Sequence, residues 1–422
     1  MKDKRSSNWG YLVRLVMVSV IVCLCASCGE DRTYEYEALT NKNHSMQAML
    51  QDWYLWGENI KELEWKDYFG DVNACFDKFI KQAPVTDTWS YCSIDSLNKD
   101  YNERGLFNHL DSYGIDAVAM EDPTRLTNQT LARVITVYPN SPAEQCGLRR
   151  GDFIGYVDGA KVTTSNISNL RNGPARQLVV NHLAFIGDSL FWIAVDTMSM
   201  QASYKVEDTQ VPVSRLYYRN GDYVAYMMVN HLNARNFISS LEALEHADIM
   251  VLDLRLCNDG TIENALALAS CLVPKECYSS EFCHTVWNAN HQDLCRTYNY
   301  DASLAPYNVG QRKLFVITGR YTRGASEWLI NGLQATLGKD VVVVGTNTAG
   351  QNVLLKSVPT DYDYTLHPAV ALVANANGDS SYGNGGITPD YVKDEYHYHP
   401  LNQYGNSDET LFNYILNNYE TY

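Results

Sequence analysis

The sequence predicts an α/β fold in its C-terminal half, preceded by a smaller β-rich region. From about Tyr217 onward, apolar runs of strand length alternate with segments whose apolar residues recur every three to four positions. Such alternation is typical of βαβ units, which build parallel sheets. From about residue 107 to 206, the chain instead shows short alternating strands separated by turn residues. The predicted order is therefore a β-rich domain followed by a parallel α/β domain.

The elements of the α/β domain are predicted from their apolar patterns. A helix near residue 240 presents Phe237, Leu241 and Leu244 on one face, and a second helix runs from Ala325 to about Thr336. Uninterrupted apolar runs of this length are typical of strands that are buried on both faces of a parallel sheet. The predicted strands are 224–229, 249–254, 314–318 and 341–344.

Composition bounds the size and the partners of the protein. The 422 residues exceed one ordinary core and predict two or three domains, and 45% apolar content predicts globular folding. The net charge is -16 and the pI is near 5.0. Nucleic-acid binding is not expected, because neutralising phosphates needs grouped lysines and arginines, which the sequence lacks. No residue spacing is typical of a metal or cofactor site, so neither is expected.

The N-terminus predicts export and a lipid anchor. Basic residues precede a largely apolar stretch from 11 to 25, which has the parts of a secretory signal and is too short for a comfortable membrane span. The stretch leads into Ala-Ser-Cys, which resembles a bacterial lipobox, so Cys28 would carry the lipid. Residues 29–31 resemble the acidic signal of Bacteroidetes-type lipoproteins. We expect an exported protein anchored to the outer membrane, on its periplasmic or cell-surface face; the alternative is a cleaved signal with an incidental cysteine.

Residues 29–106 are predicted to form a tether followed by a helical segment. Polar residues extend to about Asn43, and apolar residues then recur at helical spacing from Met46 to Trp56. The aromatic cluster at 53–56 is a conceivable ligand site, but packing in a core is the better interpretation.

The β-rich region, residues 107–206, contains the most specific structural signal. Residues 141–144, Ser-Pro-Ala-Glu, combine an N-cap, a proline at the first helical position and a capping-box acid. Predicted strands at 133–138 and 153–157 flank this short helix, and Asp-Gly at 158–159 predicts a tight hairpin turn. The whole run resembles a PDZ domain closely.

By the same resemblance, a loop of four residues would hold the terminal carboxylate of a bound peptide through its backbone amides. The loop consists of Tyr113, Gly114, Ile115 and Asp116. PDZ domains capture an extended C-terminus by strand addition, so the implied partner is a polypeptide C-terminus or an unfolded protein. A PDZ fold kept only as a spacer or lid stays open as an alternative, because Asp116 would repel a carboxylate if it pointed inward.

Eight cysteines lie beyond Cys28, and four of them fall close together. These four are Cys271, Cys277, Cys283 and Cys295. Their spacing matches no tight zinc pattern. In an exported chain, a local disulfide and free buried thiols are equally open, and the pairing cannot be read from the sequence.

Two segments of the α/β domain carry the strongest functional signal. Residues 322–327 read Thr-Arg-Gly-Ala-Ser-Glu, and residues 345–351 read Gly-Thr-Asn-Thr-Ala-Gly-Gln. They resemble the tail-specific, or C-terminal processing, serine peptidases, which have Ser/Thr-Ala-Ser-Ala-Ser-Glu and Gly-x-x-Thr-x-Gly-Lys. In that family the middle serine is the nucleophile and the lysine is its base. The alignment puts Gly324 at the nucleophile position and Gln351 at the base position.

Neither residue can perform the chemistry of the position that it occupies. A serine hydroxyl needs a neighbour with a free lone pair, which a deprotonated lysine supplies and an amide cannot. Losing one member of such a unit costs roughly 10⁴-fold or more in rate. Ser326 is the fallback nucleophile, but two helical steps turn it about 200° from position 324. The other interpretation of Ser326 is a hydroxyl in the first turn of a helix.

A third departure lies at residues 252–260, which resemble the family's Leu-Asp-Leu-Arg-x-Asn-x-Gly-Gly. The glycine amides of that motif help to build the oxyanion hole. Asp259 replaces the first glycine, and Gly260 keeps the second. A carboxylate at this place opposes the stabilisation of negative charge, which is often worth about 3 kcal/mol per donor.

Three other residues of this motif are interpreted as structural. Asp253 and Arg255 could act as an acid and an electrostatic clamp, but a salt bridge at the strand end is favoured. Cys257 could replace the nucleophile, but an ordinary buried thiol is favoured.

The resemblance covers roughly residues 45 to 395, because the turn at 383–390 resembles the family's closing Gly-Ile-x-Pro-Asp. It implies an α/β protein with an N-terminal helical segment, a PDZ domain and a crotonase/Clp-like αβ peptidase core. The predicted boundaries are 1–28 for the lipoprotein signal, 29–106 for the tether and helical segment, 107–206 for the PDZ domain, 207–395 for the peptidase-like domain and 396–422 for a C-terminal tail or helix.

The sequence favours a catalytically degenerate relative that binds polypeptide C-termini and does not cut them. An active serine endopeptidase that uses Ser326 or a rebuilt site is the alternative. A subunit that assembles with an active homologous peptidase is a third hypothesis.

Overall fold

The computed structural model describes residues 33–94, 111–186, 189–207 and 209–421. These residues form two compact units: the first contains 33–52 and 56–85, and the second contains 53–55 and the residues from 86 onward. Cys28, the predicted lipidation site, lies outside the described residues. Within the described ranges, no helix combines the length and the apolar composition that crossing a membrane requires.

The helices and strands are numbered here in chain order. The α-helices are α1 (Thr33–Trp53), α2 (Val72–Ile80), α3 (Pro142–Gln145), α4 (Phe237–Glu242), α5 (Ile262–Ser270), α6 (Ala325–Leu337) and α7 (Thr410–Asn418). The strands are β1 (Tyr91–Ile94), β2 (Asp111–Ser112), β3 (Ile115–Glu121), β4 (Thr130–Val137), β5 (Phe153–Val157), β6 (Ala160–Lys161), β7 (Arg176–Ile186), β8 (Ser189–Met200), β9 (Tyr204–Lys205), β10 (Val213–Arg219), β11 (Asp222–Met228), β12 (Ile249–Asp253), β13 (Glu281–Trp287), β14 (Thr297–Asn299), β15 (Lys313–Thr318), β16 (Val341–Gly345), β17 (Val353–Leu355), β18 (Val358–Pro359), β19 (Tyr364–His367), β20 (Ala369–Asn375) and β21 (Tyr391–Val392).

The first unit contains most of α1 together with α2. The predicted polar tether is wrong from Thr33 onward, because α1 already begins there. Asn43 is buried, and its side-chain amide donates to the carbonyls of Tyr68 (2.8 Å) and Gly70 (2.9 Å). A helix whose buried face includes polar residues does not show the apolar periodicity from which helices are predicted. The helix itself was therefore found, but its start was placed too late.

The β-rich region forms one sheet in the order β3-β4-β5-β7-β8, with β6 paired to β5. The predicted short helix is confirmed as α3: the Ser141 hydroxyl accepts from the amide of Glu144 (3.1 Å), and Pro142 is its first residue. The predicted hairpin turn is also confirmed, because Asp158 and Gly159 both have positive φ. The strand β3 lies at one end of the sheet, and β8 lies at the other.

The α/β domain is built on a sheet in the order β10-β11-β12-β15-β16-β21. Pairing is parallel from β11 through β21, as the sequence predicted, and β10 is an antiparallel edge strand. Apolar residues of α4, α5 and α6 pack in the core on one face. Residues of α7 pack in a second core with the alternate residues of the same strands. The sheet is thus covered on both faces, which explains the uninterrupted apolar strands.

A second, antiparallel sheet packs on α6. Its order is β14-β13-β20-β17. The contact is close: a Cβ added at Gly332 of α6 would lie 2.2 Å from the ring of Phe282. The helix α6 is therefore held between two sheets, and its N-terminus has a fixed position.

Among the described residues, Cys271, Cys277, Cys283 and Cys295 form no disulfide bond. Burial raises the pKa of the Cys271 thiol to about 12 and raises that of Cys283 as well. Cys295, by contrast, is exposed. Of the two alternatives left by the sequence, the structure favours free thiols over a local disulfide.

A cluster of buried charges joins three parts of the second unit. Arg255, two residues after the end of β12, contacts Asp253 (2.7 Å), Glu409 (2.8 Å) and Glu395 (2.5 Å). Arg150, next to the β-rich sheet, also contacts Glu395 and lies 3.5 Å from Glu409. All five residues are buried. The interpretation of Asp253 and Arg255 as a structural ion pair is confirmed, and the pair extends into a larger cluster.

We expect Glu409→Gln to destabilise the protein in a pH-dependent way. Burial alone would raise the pKa of Glu409, but Arg255 and Arg150 lower it to about 2. Because this value lies below the ordinary 4.5, the ionised carboxylate stabilises the fold above pH 4.5, and that contribution is lost as the pH falls toward 2. The variant should lower the free energy of unfolding by about 3 kcal/mol at pH 7.

Urea denaturation between pH 7 and pH 3 measures this effect. The difference between wild type and Glu409→Gln should shrink below pH 4.5. Glu64→Gln is the matched control, because Glu64 pairs with Lys66 at the surface and both side chains are more than 70% exposed; it should cost less than about 1 kcal/mol. A difference that stays constant across this pH range would contradict the assignment.

Candidate active site

Three loops meet at the carboxyl edge of the parallel sheet. They follow β12, β15 and β16, which are neighbours in the sheet. The amide of Arg323 donates to the carbonyl of Cys257 (3.0 Å), and the amide of Ala349 donates to the carbonyl of Thr322 (2.9 Å). The carboxyl edge is where open α/β sheets place their sites, because the loops after adjacent parallel strands converge there. The two segments singled out in the sequence are therefore side by side.

The buried carboxylate of Glu327 holds these segments together. It accepts from the amides of Gly324 (2.9 Å), Gly350 (2.6 Å) and Gln351 (2.7 Å), and from the hydroxyl of Thr348 (2.5 Å). Burial raises the pKa of this carboxyl, and the four hydrogen bonds oppose that effect. One side chain thus fixes the loop before α6 and the loop after β16 in one arrangement.

The predicted nucleophile and base positions lie next to each other. A Cβ added at Gly324 would lie 3.5 Å from Oε1 and 3.7 Å from Nε2 of Gln351. The side-chain amide of Gln351 donates through Nε2 to the carbonyl of Val353 (3.3 Å). The geometry of a nucleophile and base pair is therefore retained, but position 324 has no side chain and position 351 has no proton acceptor of useful basicity.

The backbone at Gly324 has an unusual conformation, with φ of 60° and ψ of -113°. L-residues rarely adopt positive φ, and strained backbone of this kind is typical of a turn that presents a nucleophile at the start of a helix. Glycine adopts the same conformation without a steric penalty.

Ser326 lies in the first turn of α6 and is fully buried. Its hydroxyl donates to the carbonyl of Cys257 (2.8 Å) and accepts from the amide of Arg323 (2.9 Å). The first bond joins Ser326 to the loop after β12, the second lies within its own loop, and neither involves Gln351. The geometry supports the interpretation of Ser326 as a structural hydroxyl.

The predicted oxyanion-hole position is altered by Asp259. The carboxylate of Asp259 is exposed, accepts from the amide of Gly260 (2.8 Å) and also accepts from the side chain of Asn233 (2.8 Å). The backbone of Gly260 has φ of 156° and lies against Leu232 and Ala325, so no larger residue fits there. The amide that would stabilise an oxyanion is thus already occupied by a carboxylate.

Two side chains at the site were not assigned a role from the sequence. The indole N–H of Trp89 donates to the carbonyl of Gly350 (3.1 Å). The guanidinium of Arg323 donates to the carbonyl of Asn258 (3.0 Å) and lies 5.9 Å from the Trp89 ring. The signal for Trp89 was its place in a Trp-Ser-Tyr stretch that the resembled family often carries. Arg323 had no signal beyond its position beside Gly324.

Two amides of the predicted carboxylate loop of the β-rich domain already have hydrogen-bond partners. The amide of Tyr113 donates to the carbonyl of Arg171 (3.0 Å), and the amide of Gly114 donates to the Ser112 hydroxyl (2.9 Å). Ile115 begins β3, which is an edge strand of the sheet as described. A peptide carboxylate would therefore have to displace the Ser112 hydroxyl from Gly114.

Asp116, the last residue of that loop, lies near Arg320 and Tyr321, which follow β15. Burial raises the pKa of its carboxyl, and the positive charge of Arg320 partly offsets this effect. The positive charge of Arg320 therefore opposes the effect of burial on this carboxyl without outweighing it. Asp116 should therefore repel the carboxylate of a bound peptide less than the sequence suggested. The case for a PDZ domain that serves only as a spacer or lid is weaker for this reason.

Comparison with known proteins agrees with this architecture. The sequence profile of Peptidase family S41 matches residues 223–393, and that of the PDZ domain matches residues 133–178. The carboxy-terminal-processing protease of Bartonella bacilliformis is 23% identical over 282 residues, which are 63% of this chain and 59% of that protein. The corresponding protease of a Picosynechococcus species is 26% identical over 234 residues, 52% of this chain and 51% of that protein. The chain thus spans between half and three fifths of the length of these relatives.

Solved structures give the same result over most of the chain. An S41-family structure from Bacteroides fragilis superimposes with a TM-score of 0.75 at 25% identity, and the match covers 89% of this chain and 97% of that one. The photosystem II D1 C-terminal processing protease shares the fold, with a TM-score of 0.50 at 18% identity over 85% of this chain and 93% of that one. With a PDZ domain and an S41 peptidase core in this order, the chain belongs to the tail-specific, or carboxy-terminal-processing, protease family.

Proposed function

We propose that the protein is a catalytically degenerate S41 family member that binds polypeptides and does not cut them. The observation that carries the proposal is the contact between positions 324 and 351. The two positions meet in the geometry of a nucleophile and its base, and they hold glycine and glutamine. The family acts on polypeptide substrates, so polypeptide is the ligand class that the retained architecture favours.

The chemistry of acyl transfer lacks three of its parts in this arrangement. Position 324 has no hydroxyl, and the side-chain amide of Gln351 cannot take up a proton. The backbone amide of Gly260 is hydrogen-bonded to the carboxylate of Asp259. Losing the nucleophile alone leaves only the residual rate that binding and oxyanion stabilisation provide. With the amide of Gly260 also occupied, even that residual contribution is reduced.

Binding of a polypeptide is supported by the edge of the PDZ sheet. The strand β3 has β4 on one side and is the terminal strand of the sheet as described. Such an edge offers main-chain donors and acceptors to an extended peptide, which is how PDZ domains add a ligand strand. A C-terminal carboxylate would then reach the amide of Gly114 at the start of β3.

An active peptidase that uses Ser326 is the competing function. It requires the buried Ser326 hydroxyl to leave the carbonyl of Cys257 and to find a base, whereas the hydrogen-bond partners that this hydroxyl has among the described residues are backbone groups. Assembly with an active homologous peptidase is compatible with the proposal, since a non-cutting subunit can present polypeptide to a partner.

We also propose that the mature protein is a lipoprotein of the outer membrane, anchored through Cys28. The support is the sequence of the signal and of the residues around Cys28. The polypeptide ligand would then be bound on the periplasmic or cell-surface face. The mass of the N-terminal peptide from the envelope fraction should equal a lipidated Cys28, and Cys28→Ser should release the protein from membranes. An unmodified N-terminus in the wild-type protein would refute the anchor.

Restoring the three altered positions should create peptidase activity. We expect wild type to leave an unstructured protein such as casein intact, and the combination Gly324→Ser, Gln351→Lys and Asp259→Gly to cleave it. The reason is that the frame held by Glu327 already places positions 324 and 351 in contact. Cleavage is followed by gel electrophoresis and mass spectrometry.

The matched control carries Gly324→Ala with the same two other substitutions. It adds the same Cβ at a strained position but no hydroxyl, so it should not cut. Cleavage by the wild type that Ser326→Ala abolishes would overturn the proposal and identify a site rebuilt around Ser326. Cleavage by the wild type that survives Ser326→Ala would overturn it as well.

Ser112→Ala should strengthen the binding of peptides with a free C-terminus. Removing the hydroxyl frees the amide of Gly114 for a carboxylate, and one such hydrogen bond is worth about 1 kcal/mol, or roughly fivefold in Kd. Fluorescence anisotropy with an unstructured labelled peptide, as the free acid and as the C-terminal amide, measures the effect. The Kd of the peptide with a C-terminal amide should not change. The control Ser168→Ala, which changes an exposed serine of the same domain, should leave the Kd of both peptides unchanged. If the free-acid peptide and the amide peptide bind wild type with equal affinity, and also bind Ser112→Ala with equal affinity, this loop is excluded as a carboxylate site.

A further inference from the structure

Aromatic side chains are exposed together on the first unit. Tyr36, in the first turn of α1, is 44% exposed, and the two ends of a short 3₁₀ helix, Trp65 and Phe69, are 56% and 42% exposed. The centroid of the Phe69 ring lies 5.9 Å from that of Tyr36 and 5.3 Å from that of Trp65. These three rings form one surface, called here the aromatic patch. Contiguous exposed apolar groups of this kind mark sites of contact with proteins or membranes.

The aromatic patch is held in place by the residues beneath it. The side-chain amide of Asn43 donates to the carbonyls of Tyr68 and Gly70, which ties the segment that carries Trp65 and Phe69 to α1. The ring of His44 stacks on the buried ring of Tyr68 with 3.6 Å between centroids. These contacts fix the backbone on both sides of the aromatic patch, so its rings are presented outward and do not fold into the core.

The charges next to Trp65 cancel one another. The ammonium of Lys66 lies 2.7 Å from the carboxylate of Glu64, and that of Lys78 lies 2.6 Å from the carboxylate of Asp67. The 3₁₀ helix is therefore locally neutral in a chain whose net charge is -16. An aromatic and locally neutral surface suits a zwitterionic lipid bilayer, because tryptophan and tyrosine pack at the boundary between headgroups and acyl chains.

The length of the chain before α1 limits how far the aromatic patch can lie from the proposed lipid anchor. The helix begins at Thr33, only a few residues after Cys28. A chain spans at most about 3.6 Å per residue, so the Cα atoms of Cys28 and Thr33 are within roughly 18 Å of each other. Tyr36 lies about 4.5 Å further along the helix axis. A lipid on Cys28 would therefore keep the aromatic patch close to the bilayer surface.

We propose that the aromatic patch rests on the lipid bilayer that holds Cys28, with the rings of Trp65 and Phe69 placed among the lipid headgroups. This inference rests on the proposed anchor and adds a second contact to the same attachment. Stable attachment to membranes commonly combines a covalent lipid with a further contact of this kind. The first unit would then lie against the membrane surface instead of moving freely at the end of the anchor.

Quenching of tryptophan fluorescence by brominated lipid tests this inference. The protein is purified from the envelope, the mass of its N-terminal peptide is measured, and it is reconstituted into phosphatidylcholine vesicles with or without bromine in the acyl chains close to the headgroup. We expect bromine to quench the wild-type emission, and Trp65→Phe to remove at least half of the emission loss. Trp192→Phe, at a half-buried position of β8, is the matched control and should leave the emission loss unchanged.

Phe69→Glu is the second variant, because it keeps Trp65 as the reporter and places a carboxylate in the aromatic patch. It should reduce the emission loss at least twofold, and circular dichroism checks that each variant is folded.

The outcomes separate the aromatic patch from the anchor. A lipidated Cys28 with equal quenching in wild type and Trp65→Phe, or with quenching that Phe69→Glu leaves unchanged, overturns this inference and leaves the anchor intact. An unmodified N-terminus overturns both. If the emission of the Cys28→Ser protein changes on dilution in buffer, and Trp65→Phe removes that change, a second copy of the chain covers the aromatic patch and the inference is wrong. None of these outcomes concerns the proposed loss of catalysis.

Discussion

The second unit depends on the cluster of two guanidinium groups and three carboxylates around Arg255. Removing such ions from water is costly, so each must keep its partners, and the partners come from distant parts of the chain. Arg255 lies in the loop that leads to Cys257, and the carbonyl of Cys257 accepts a hydrogen bond from the Ser326 hydroxyl. Glu395 begins the segment in which the carbonyls of Tyr396 and Tyr398 accept hydrogen bonds from the Arg133 guanidinium. The candidate active site and the contact of Arg133 with the segment after Glu395 therefore both depend on the same buried charges.

Glu327 holds separate parts of the chain together at the sheet edge, as Arg255 does elsewhere in the same unit. A single buried carboxylate satisfies three amides and a hydroxyl from two loops, and none of these donors belongs to a catalytic side chain. The arrangement of positions 324 and 351 therefore does not need a serine or a lysine in order to persist. On the proposed function, this explains how a peptidase frame could remain intact after its nucleophile and base are replaced.

Much of the fold follows from local sequence patterns, and the exceptions have a physical cause. The strands β12, β15 and β16 and the helix α6 are recognisable because burial on both faces leaves continuous apolar runs. The meeting of Gly324 and Gln351 was predicted only through resemblance to a family. The start of α1 was missed because its buried side includes Asn43. Two partners of Arg255, Glu395 and Glu409, were missed because they lie more than a hundred residues away in sequence. Buried polar residues and contacts between distant residues do not produce the periodic apolar pattern from which secondary structure is predicted.

The backbone of Gly324 affects how a protein with this loop distributes its stability. A residue with a Cβ pays about 1–2 kcal/mol to hold positive φ, so an enzyme with serine at this position maintains its nucleophile against conformational strain. Glycine holds the same turn without that penalty. On the proposed function, the turn that an active enzyme would hold against steric strain is occupied here by glycine, so the native state of this chain carries less strain at that position.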